Sequence, residues 1–498
     1  MKPNSSTSPN PYAFPLKPKD YAPNPVPSLE EWHKLWTAWE LVTLKMIPKE
    51  ALHEKPIPLR NPLIFYLGHI PTFEDIHLAR ATNESATEPE YYQRIFERGI
   101  DPDVDDPTQC HDHSETPDTW PELHEIVEYR GKVCKRIKAL YDSGKAWSAR
   151  SVGRALWIGF EHEGLHLETF LWMTILSPKI LPPPLPRPDF VSMAEKAARE
   201  RVENQWFRIV PRTFSIGIED PEDDSEGNGY FAWDNERDPY EVSVHGFEAQ
   251  GRPVSIGEYA TYLVETSQMD RIPISWTRES SLSGKTIASD YSYGEDIDVQ
   301  KNFIDGLTIK TVFGPVPLNL ALDWPVYISY NDAEAYADWA GARIPTLHEA
   351  RSIHRQVEEE RKIAANNSDA KQNLTPGISR EDIYIDLTGC NVGFRNFHPT
   401  PVTQNGNRLC GQSDMGGAYE WTSSLFAPQP GFKPMDIYPG YSADFMDGKH
   451  ILVVGGTWAL HPRISGKRTF LNWWQKSYPY PWVGLRLVRD IPPKRECN

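Results

Sequence analysis

His162 and His166 stand four residues apart in Glu161-His162-Glu163-Gly164-Leu165-His166-Leu167-Glu168. On a helix such residues share a face, and two imidazoles so placed can chelate one metal ion. The spacing also matches the HExxH pattern, with Glu163 in the place of a general base. The 15 histidines of the chain supply roughly half such a pair by chance. Spacing alone therefore leaves two readings open, a metal pair or two hydrogen-bonded core histidines. His69, in Phe65-Tyr66-Leu67-Gly68-His69-Ile70-Pro71-Thr72-Phe73, is a third imidazole, set in an apolar helical stretch. A buried polar group without a partner costs about 1–3 kcal/mol, so His69 needs one. One helix giving one His and a neighbour giving two would form a three-His face inside a bundle. Three neutral imidazoles with open positions suit Zn(II) or Fe(II). They leave the metal its full charge, which favours an anionic thiolate with O2 beside it. His111 and His113 form another close pair, but in an acidic, turn-rich stretch that predicts a solvated loop.

Helices must hold these side chains. Trp32, Leu35, Trp36 and Trp39 recur at i, i+3, i+4 and i+7 behind a Ser28–Glu31 capping pattern, which predicts a helix from Ser28. A second helix is expected over about 61–81, with Pro62 at its start, where a missing N–H costs nothing. Thr119-Trp120-Pro121-Glu122 predicts another capped start, for a helix running to about Asp142 and closed by Gly144. A fourth spans Ser148 to Ser177, with Ala155, Gly159, His162, His166 and Phe170 near one stripe. Four helices predict an antiparallel bundle over residues 29–180. Leu181-Pro-Pro-Pro-Leu-Pro-Arg-Pro188 breaks the pattern, so 181–205 is expected to be a Pro-rich linker and connecting helix. Beyond Trp206, Gly and Pro become frequent, and Phe214-Ser-Ile-Gly217 and Tyr240-Glu-Val-Ser-Val244 alternate with period two. Helical patches at about 256–266, 331–340 and 351–365 interrupt them, the last charged and solvated. Residues 206–490 thus predict an irregular α+β domain with long loops. Residues 1–28, rich in Pro, Ser and Asn, predict a flexible tail, and 491–498 a short one.

The chain has 498 residues, 69 acidic and 52 basic, for a formal net charge of -17. That length suggests two or three domains. The acidic balance argues against nucleic acid or an anionic membrane as partner. No apolar run reaches the roughly 18 residues that span a bilayer, and no apolar secretory segment opens the chain. Five unclustered cysteines exclude a disulfide framework and a Cys-based zinc module. A reducing, cytoplasmic setting is expected.

Asn61-Pro62 to Gly68-His69, followed by His162-Glu-Gly-Leu-His166-Leu-Glu168, resembles the DinB-like bundle of the ergothioneine-biosynthetic sulfoxide synthases. The second half resembles the sulfatase-modifying-factor domain fused to it, a formylglycine-generating-enzyme-like, C-type-lectin-like fold. The phrases that carry this are Pro253-Val-Ser-Ile-Gly-Glu-Tyr259, Ala342-Arg-Ile-Pro-Thr-Leu-His-Glu349, Gly416-Gly-Ala-Tyr-Glu-Trp421, Gly455-Gly-Thr-Trp458 and Gly484-Leu-Arg-Leu-Val-Arg489. The resemblance covers about residues 29–490 and implies an α domain followed by an α+β domain.

It also implies Fe(II) held by His69, His162 and His166 at the domain junction, with O2 as co-substrate. It implies a catalytic tyrosine in a Tyr-x-x-Tyr-Ser segment, here Tyr438-Pro-Gly-Tyr441-Ser442, which makes Tyr438 the candidate and Tyr441 its neighbour at the substrate. Phe470-Leu-Asn472-Trp473-Trp474 matches a stretch that touches a betaine substrate. Asn472 offers an amide for the carboxylate, and Trp473 an aromatic face for the quaternary ammonium. Family members that use γ-glutamylcysteine resemble Asn-Trp-Asp followed by Arg, where this chain has Asn472-Trp473-Trp474, then Gln475 and Lys476. Leu165 stands where Gln is frequent. Both departures resemble the fungal branch, which is similar to users of free cysteine. Fungal members also carry an N-terminal methyltransferase that Met1 to Pro27 cannot fold, so a separate methyltransferase protein is expected to supply hercynine. The expected activity is a non-haem iron sulfoxide synthase that joins L-cysteine to C2 of hercynine, giving hercynylcysteine sulfoxide. The alternatives are a 5-histidylcysteine sulfoxide synthase and a catalytically inactive, lectin-like binding module.

Overall fold

The computed structural model describes residues 10–225, 229–278, 302–366 and 380–491. The helical half is built on α1 (Leu29–Glu40), α2 (Leu63–Thr82), α3 (Leu123–Asp142) and α4 (Arg150–Thr174). Ser28 caps α1 as its sequence predicts: its hydroxyl accepts from the Glu31 backbone N–H, and Glu31 accepts from the Ser28 N–H. Helix α3 starts later than expected. Glu122, not Thr119, is its cap, because Glu125 reaches back to the Glu122 N–H at 2.9 Å. Helix α2 packs on α3 and α4, and α4 also on α1. A hydrophobic stripe would leave α4 half-exposed, yet most of its residues are buried. It lies between the other helices and the second domain. At Gly164 an added Cβ would sit 3.0 Å from Ile464 Cδ1 and 3.3 Å from His461 Cβ, so the residue type sets how closely the two halves approach.

After the linker, α5 (Phe190–Glu200) leads into a mainly antiparallel domain. Strands β1 (Trp206–Ile209), β4 (Phe247–Gln250) and β12 (Val488–Asp490) form one small sheet. Strands β2 (Arg212–Ile216) and β3 (Tyr240–Val244) pair with Phe214 opposite Val242, and the alternating residues of both are buried. Strands β5 (Trp276–Arg278), β6 (Leu307–Thr311) and β7 (Gly314–Pro317) form a third sheet. The sheet nearest the histidines runs in the order β10-β9-β8-β11, from β8 (Tyr419–Leu425), β9 (His450–Gly455), β10 (Asn472–Gln475) and β11 (Val483–Gly484). Helices α6 (Ile256–Glu265), α7 (Tyr330–Trp339) and α8 (Leu347–Asn366) complete the domain.

Two expectations are corrected here. Residues 10–28 are not a free tail. Phe14, Tyr21 and Ala22 are buried, the Phe14 N–H bonds Gly393 O at 2.9 Å, and the Tyr21 hydroxyl bonds Ile385 O at 2.5 Å. Their Pro-rich composition suits an extended strap, whose few large apolar residues dock on the second domain. Helix α8 is not solvated all round: Ala350, Ile353, His354 and Val357 are buried against the sheets. A single apolar core runs from the bundle through α4 to Trp458 and Ile464. No helix among the described residues is long and apolar enough to cross a membrane.

Candidate metal centre

His69 lies in the second turn of α2, beside Gly68. Glycine is required there: an added Cβ would fall 2.4 Å from the Phe96 ring. The close approach lets His69 Nδ1 donate to Phe96 O at 2.6 Å. That bond fixes the tautomer and turns the Nε2 lone pair inward. Helix α4 brings His162 and His166 to the same point. His69 Nε2 lies 3.1 Å from His162 Nε2 and 3.0 Å from His166 Nε2. Among the described residues these three form a group able to hold a metal ion. Burial, first of all, lowers the His69 pKa to about 4 and holds His162 and His166 well below the usual imidazole value. All three are neutral near pH 7, with lone pairs available.

The spacing fits a metal. Nitrogens about 2.1 Å from a common ion lie about 3.0 Å apart at cis positions of an octahedron and about 3.4 Å apart in a tetrahedron. The two distances from His69 match adjacent octahedral positions. His166 Nδ1 faces the Thr169 hydroxyl at 3.4 Å. Among the described residues His162 Nδ1 has no hydrogen-bond partner, and its ring stacks on Phe73 with centroids 3.6 Å apart.

Glu163 turns away from this face. It is fully buried, with Arg130 donating to it at 2.6 Å, and beside it the Glu74 carboxyl is pushed well up by burial and by the Glu163 charge. The HExxH pattern therefore supplies no base at the metal. Glu168 points into the second domain instead. It accepts from the Tyr419 hydroxyl at 2.7 Å and from the Thr457 hydroxyl, and burial raises its pKa to about 7.

Tyr438 meets the face of α2 that carries His69. Its ring lies edge-on to Phe73 at 5.3 Å and to His77 at 6.1 Å. One ring, Phe73, separates it from His162. Burial holds its phenol above the usual pKa. Phe73, His77, Tyr438 and Gly440 line a cavity of about 520 Å³, with Arg94 and Arg98 across from them. Tyr441 stacks on Trp233 at 3.9 Å and meets the Trp473 edge at 5.3 Å.

Asn472, Trp473 and Trp474, expected together at the substrate, lie on β10 and do not face one way, because a strand alternates its side chains. Trp474 faces α4, against Trp172 with centroids 5.6 Å apart, and alternation puts Asn472 on the same side, its Oδ1 accepting the Trp473 N–H at 2.9 Å. Trp473 points to the other side, where Phe426 stacks on it at 4.3 Å and Phe445 packs against it. Its ring is core and offers no open face to a cation, contrary to the expectation from the resemblance. Trp474 stacks instead on Tyr478 at 5.8 Å, and Arg60 lies over Tyr478 and Trp172 and donates from Nε to the Tyr478 hydroxyl oxygen at 2.7 Å. His111 and His113 are not in the three-histidine group, and His113 Nδ1 bonds its neighbour's carbonyl, Ser114 O, at 2.9 Å.

Sequence reasoning missed Phe73, His77 and Arg60. Phe73 and His77 follow His69 at i+4 and i+8, so the helical period could have found them. Arg60 lies outside the helices and carries no such signal.

A model for the sulfatase-modifying factor enzyme 1-like domain matches residues 194–491, and one for the DinB superfamily matches 30–170. The chain is 46% identical to the Neurospora crassa protein named ergothioneine biosynthesis protein 1, over 96% of this chain and 59% of that one. It is 32% identical to the Schizosaccharomyces pombe protein of the same name, over 94% of this chain and 56% of that one. The Mycobacterium tuberculosis hercynine oxygenase is 32% identical over 52% of this chain and 56% of its own length. The chain thus spans little more than half the length of these relatives. Its two halves, their order and these similarities place it in the sulfatase-modifying factor enzyme 1-like family, among the members that join that domain to a DinB-superfamily bundle and include ergothioneine biosynthesis protein 1.

Proposed function

We propose that the chain is a non-haem iron(II) oxygenase that joins the sulfur of L-cysteine to C2 of hercynine and oxidises it to the sulfoxide. The observation that carries this is the convergence of three neutral imidazoles on one point, with Phe73 between them and a cavity lined by the protonated Tyr438 phenol. His69, His162 and His166 would hold the iron. When bound, iron supplies O2 activation and a position for the thiolate. The overall change balances without an external reductant: C–H plus S–H plus O2 gives C–S(=O) plus water.

The protein's own part is positioning and proton supply. The Tyr438 phenol keeps its proton at neutral pH, because burial opposes the phenolate. It can deliver that proton from Oη at the cavity wall, and neither Phe73 nor His77 beside it carries a charge that would compete. Asn472 offers its amide to the betaine carboxylate from the sheet side. Trp474, stacked on Tyr478 and perpendicular to Trp172, leaves no acid to hold a γ-glutamyl group.

The test is anaerobic Fe(II) loading followed by O2, with hercynine or histidine and each of cysteine and γ-glutamylcysteine, and the products read by mass. Hercynylcysteine sulfoxide is expected, with free cysteine preferred by at least about tenfold in kcat/KM, or about 1.4 kcal/mol. Turnover of histidine in place of hercynine, or a preference for γ-glutamylcysteine, would overturn the substrate assignment.

A further inference from the structure

We propose that Asp234 is a positioning residue for Tyr438: through the Ser442 hydroxyl it anchors the turn that carries the phenol, and this rests on Tyr438 being the proton donor of the proposed reaction. Tyr438-Pro439-Gly440-Tyr441 closes on itself, the Tyr441 N–H donating to Tyr438 O at 3.1 Å, and runs into the short helix Gly440–Ala443. A single helical turn is marginal by itself, so side chains must hold it. Ser442 is fully buried, and its hydroxyl is engaged in both directions. It donates to Asp234 Oδ1 at 2.5 Å and accepts from Asn235 Nδ2 at 2.9 Å. The preceding residue, Trp233, takes the Tyr441 ring in a stack at 3.9 Å. The Tyr441 ring in turn meets the Tyr438 ring at 5.9 Å.

The gripping segment is itself tied to the helix that carries two of the histidines. Trp233 Nε1 donates to Glu161 Oε2 at 2.7 Å, and Glu161 precedes His162 on α4. Asp234 and Asn235 are buried beside it. The phenol and the α4 imidazoles are thus held to one frame. Phe73 and His77 limit the Tyr438 ring from the α2 side and leave its backbone free to withdraw. On the open side of the turn Arg98 pairs with Asp444, and both are partly exposed. The buried side is held by Ser442. Proton transfer needs donor and acceptor at about 2.6–3.2 Å, and a misplacement of about 1 Å can cost about a hundredfold. Without Asp234 the Ser442 hydroxyl loses its acceptor, the turn loosens, and the phenol drifts while the metal ligands stay in place.

The iron-loaded full chain is assayed with hercynine, L-cysteine and O2, for iron content and for the ratio of hercynylcysteine sulfoxide to cysteine sulfinate. Tyr438→Phe sets the limit of the shift towards sulfinate. Asp234→Ala and Ser442→Ala each remove one end of the anchor and should lower the ratio at least about fivefold, with iron content unchanged. Asp234→Asn keeps Oδ1 as an acceptor and should hold the ratio within about twofold of the wild type. Asp234→Ala added to Tyr438→Phe should change the ratio by less than about a further twofold, because it acts through that phenol. Should Asp234→Ala fail to fold, Ser442→Ala, alone and with Tyr438→Phe, decides. If Tyr438→Phe shifts the ratio while Ser442→Ala leaves it unchanged, the anchor is wrong and the role of Tyr438 stands. A full further fall in the double variant would place the effect outside Tyr438 and overturn the proposal. If Tyr438→Phe itself leaves the ratio unchanged, the role of Tyr438 is wrong, and the role given to Asp234 goes with it.

Discussion

Tyr438 is the side chain whose loss should change the product more than the protein. Phe at this position keeps the packing on Phe73 and His77 but removes the proton donor. The variant is expected to bind iron and both substrates and to consume O2, while the product shifts from hercynylcysteine sulfoxide towards cysteine sulfinate. A tyrosine that only packs would lose about 0.5–1.5 kcal/mol of stability and leave the sulfoxide-to-sulfinate ratio alone, so an unchanged ratio removes Tyr438 from the chemistry. At this scale the histidines were legible in the sequence. Two of them obey the helical i, i+4 rule, and the third sits in a helix too apolar to leave an imidazole without a partner. Glu163 and Trp473 were not. A helical spacing does not say which way a flanking Glu turns, and Glu163 turns to Arg130. The direction of Trp473 required knowing that Asn472 to Gln475 is a strand, since alternation then sends neighbouring side chains to opposite sides.

Helix α2 presents His69, Phe73 and His77 at one-turn intervals along the site. Burial, then the nearby Arg80 charge, lowers the His77 pKa to about 3, against a usual value near 6.5. The folded protein keeps His77 neutral, while the unfolded chain takes up a proton below pH 6.5. Stability is therefore fully present above about pH 6.5 and falls as the pH drops from there towards 3, by up to about 1.4 kcal/mol per pH unit for this one group. His77→Phe should flatten that acid limb, with urea unfolding of the metal-free protein at pH 7.5, 6 and 5 as the measurement. A slope equal to that of the wild type would mean that His77 is not held neutral in the fold. The periods of α1, α4, β2 and β3 could be read directly, because each element repeats one pattern. The start of α3 could not, since two cap candidates, Thr119 and Glu122, stand three residues apart and Glu125 closes on Glu122, and neither could the burial of α8, since the partner of His354, Glu420, is distant in sequence.

At the scale of the whole molecule, α4 is joined to the second domain by charges buried on both sides. Lys467 is fully buried and pairs with Glu161 of α4 and with Glu236, each at 2.9 Å. Lys467→Met would leave the two carboxylates facing each other without a cation, a loss of about 3–5 kcal/mol. Chemical denaturation should show it as a lower midpoint for the bundle and the second domain together, whereas a loss below about 1 kcal/mol would mean that the pair does not join them. The order of two domains could be read from the change in composition near Trp206, but their fusion around α4 could not, because Lys467 lies 306 residues from Glu161 and Tyr419 251 from Glu168. The centre that this joint supports stands or falls on its metal. Wild type and His166→Ala, loaded with Fe(II) without oxygen and desalted, are compared by metal analysis and by circular dichroism. The wild type should retain about one iron per chain, and the variant should lose it with its helical spectrum unchanged; full iron occupancy in folded His166→Ala would contradict the three-histidine centre.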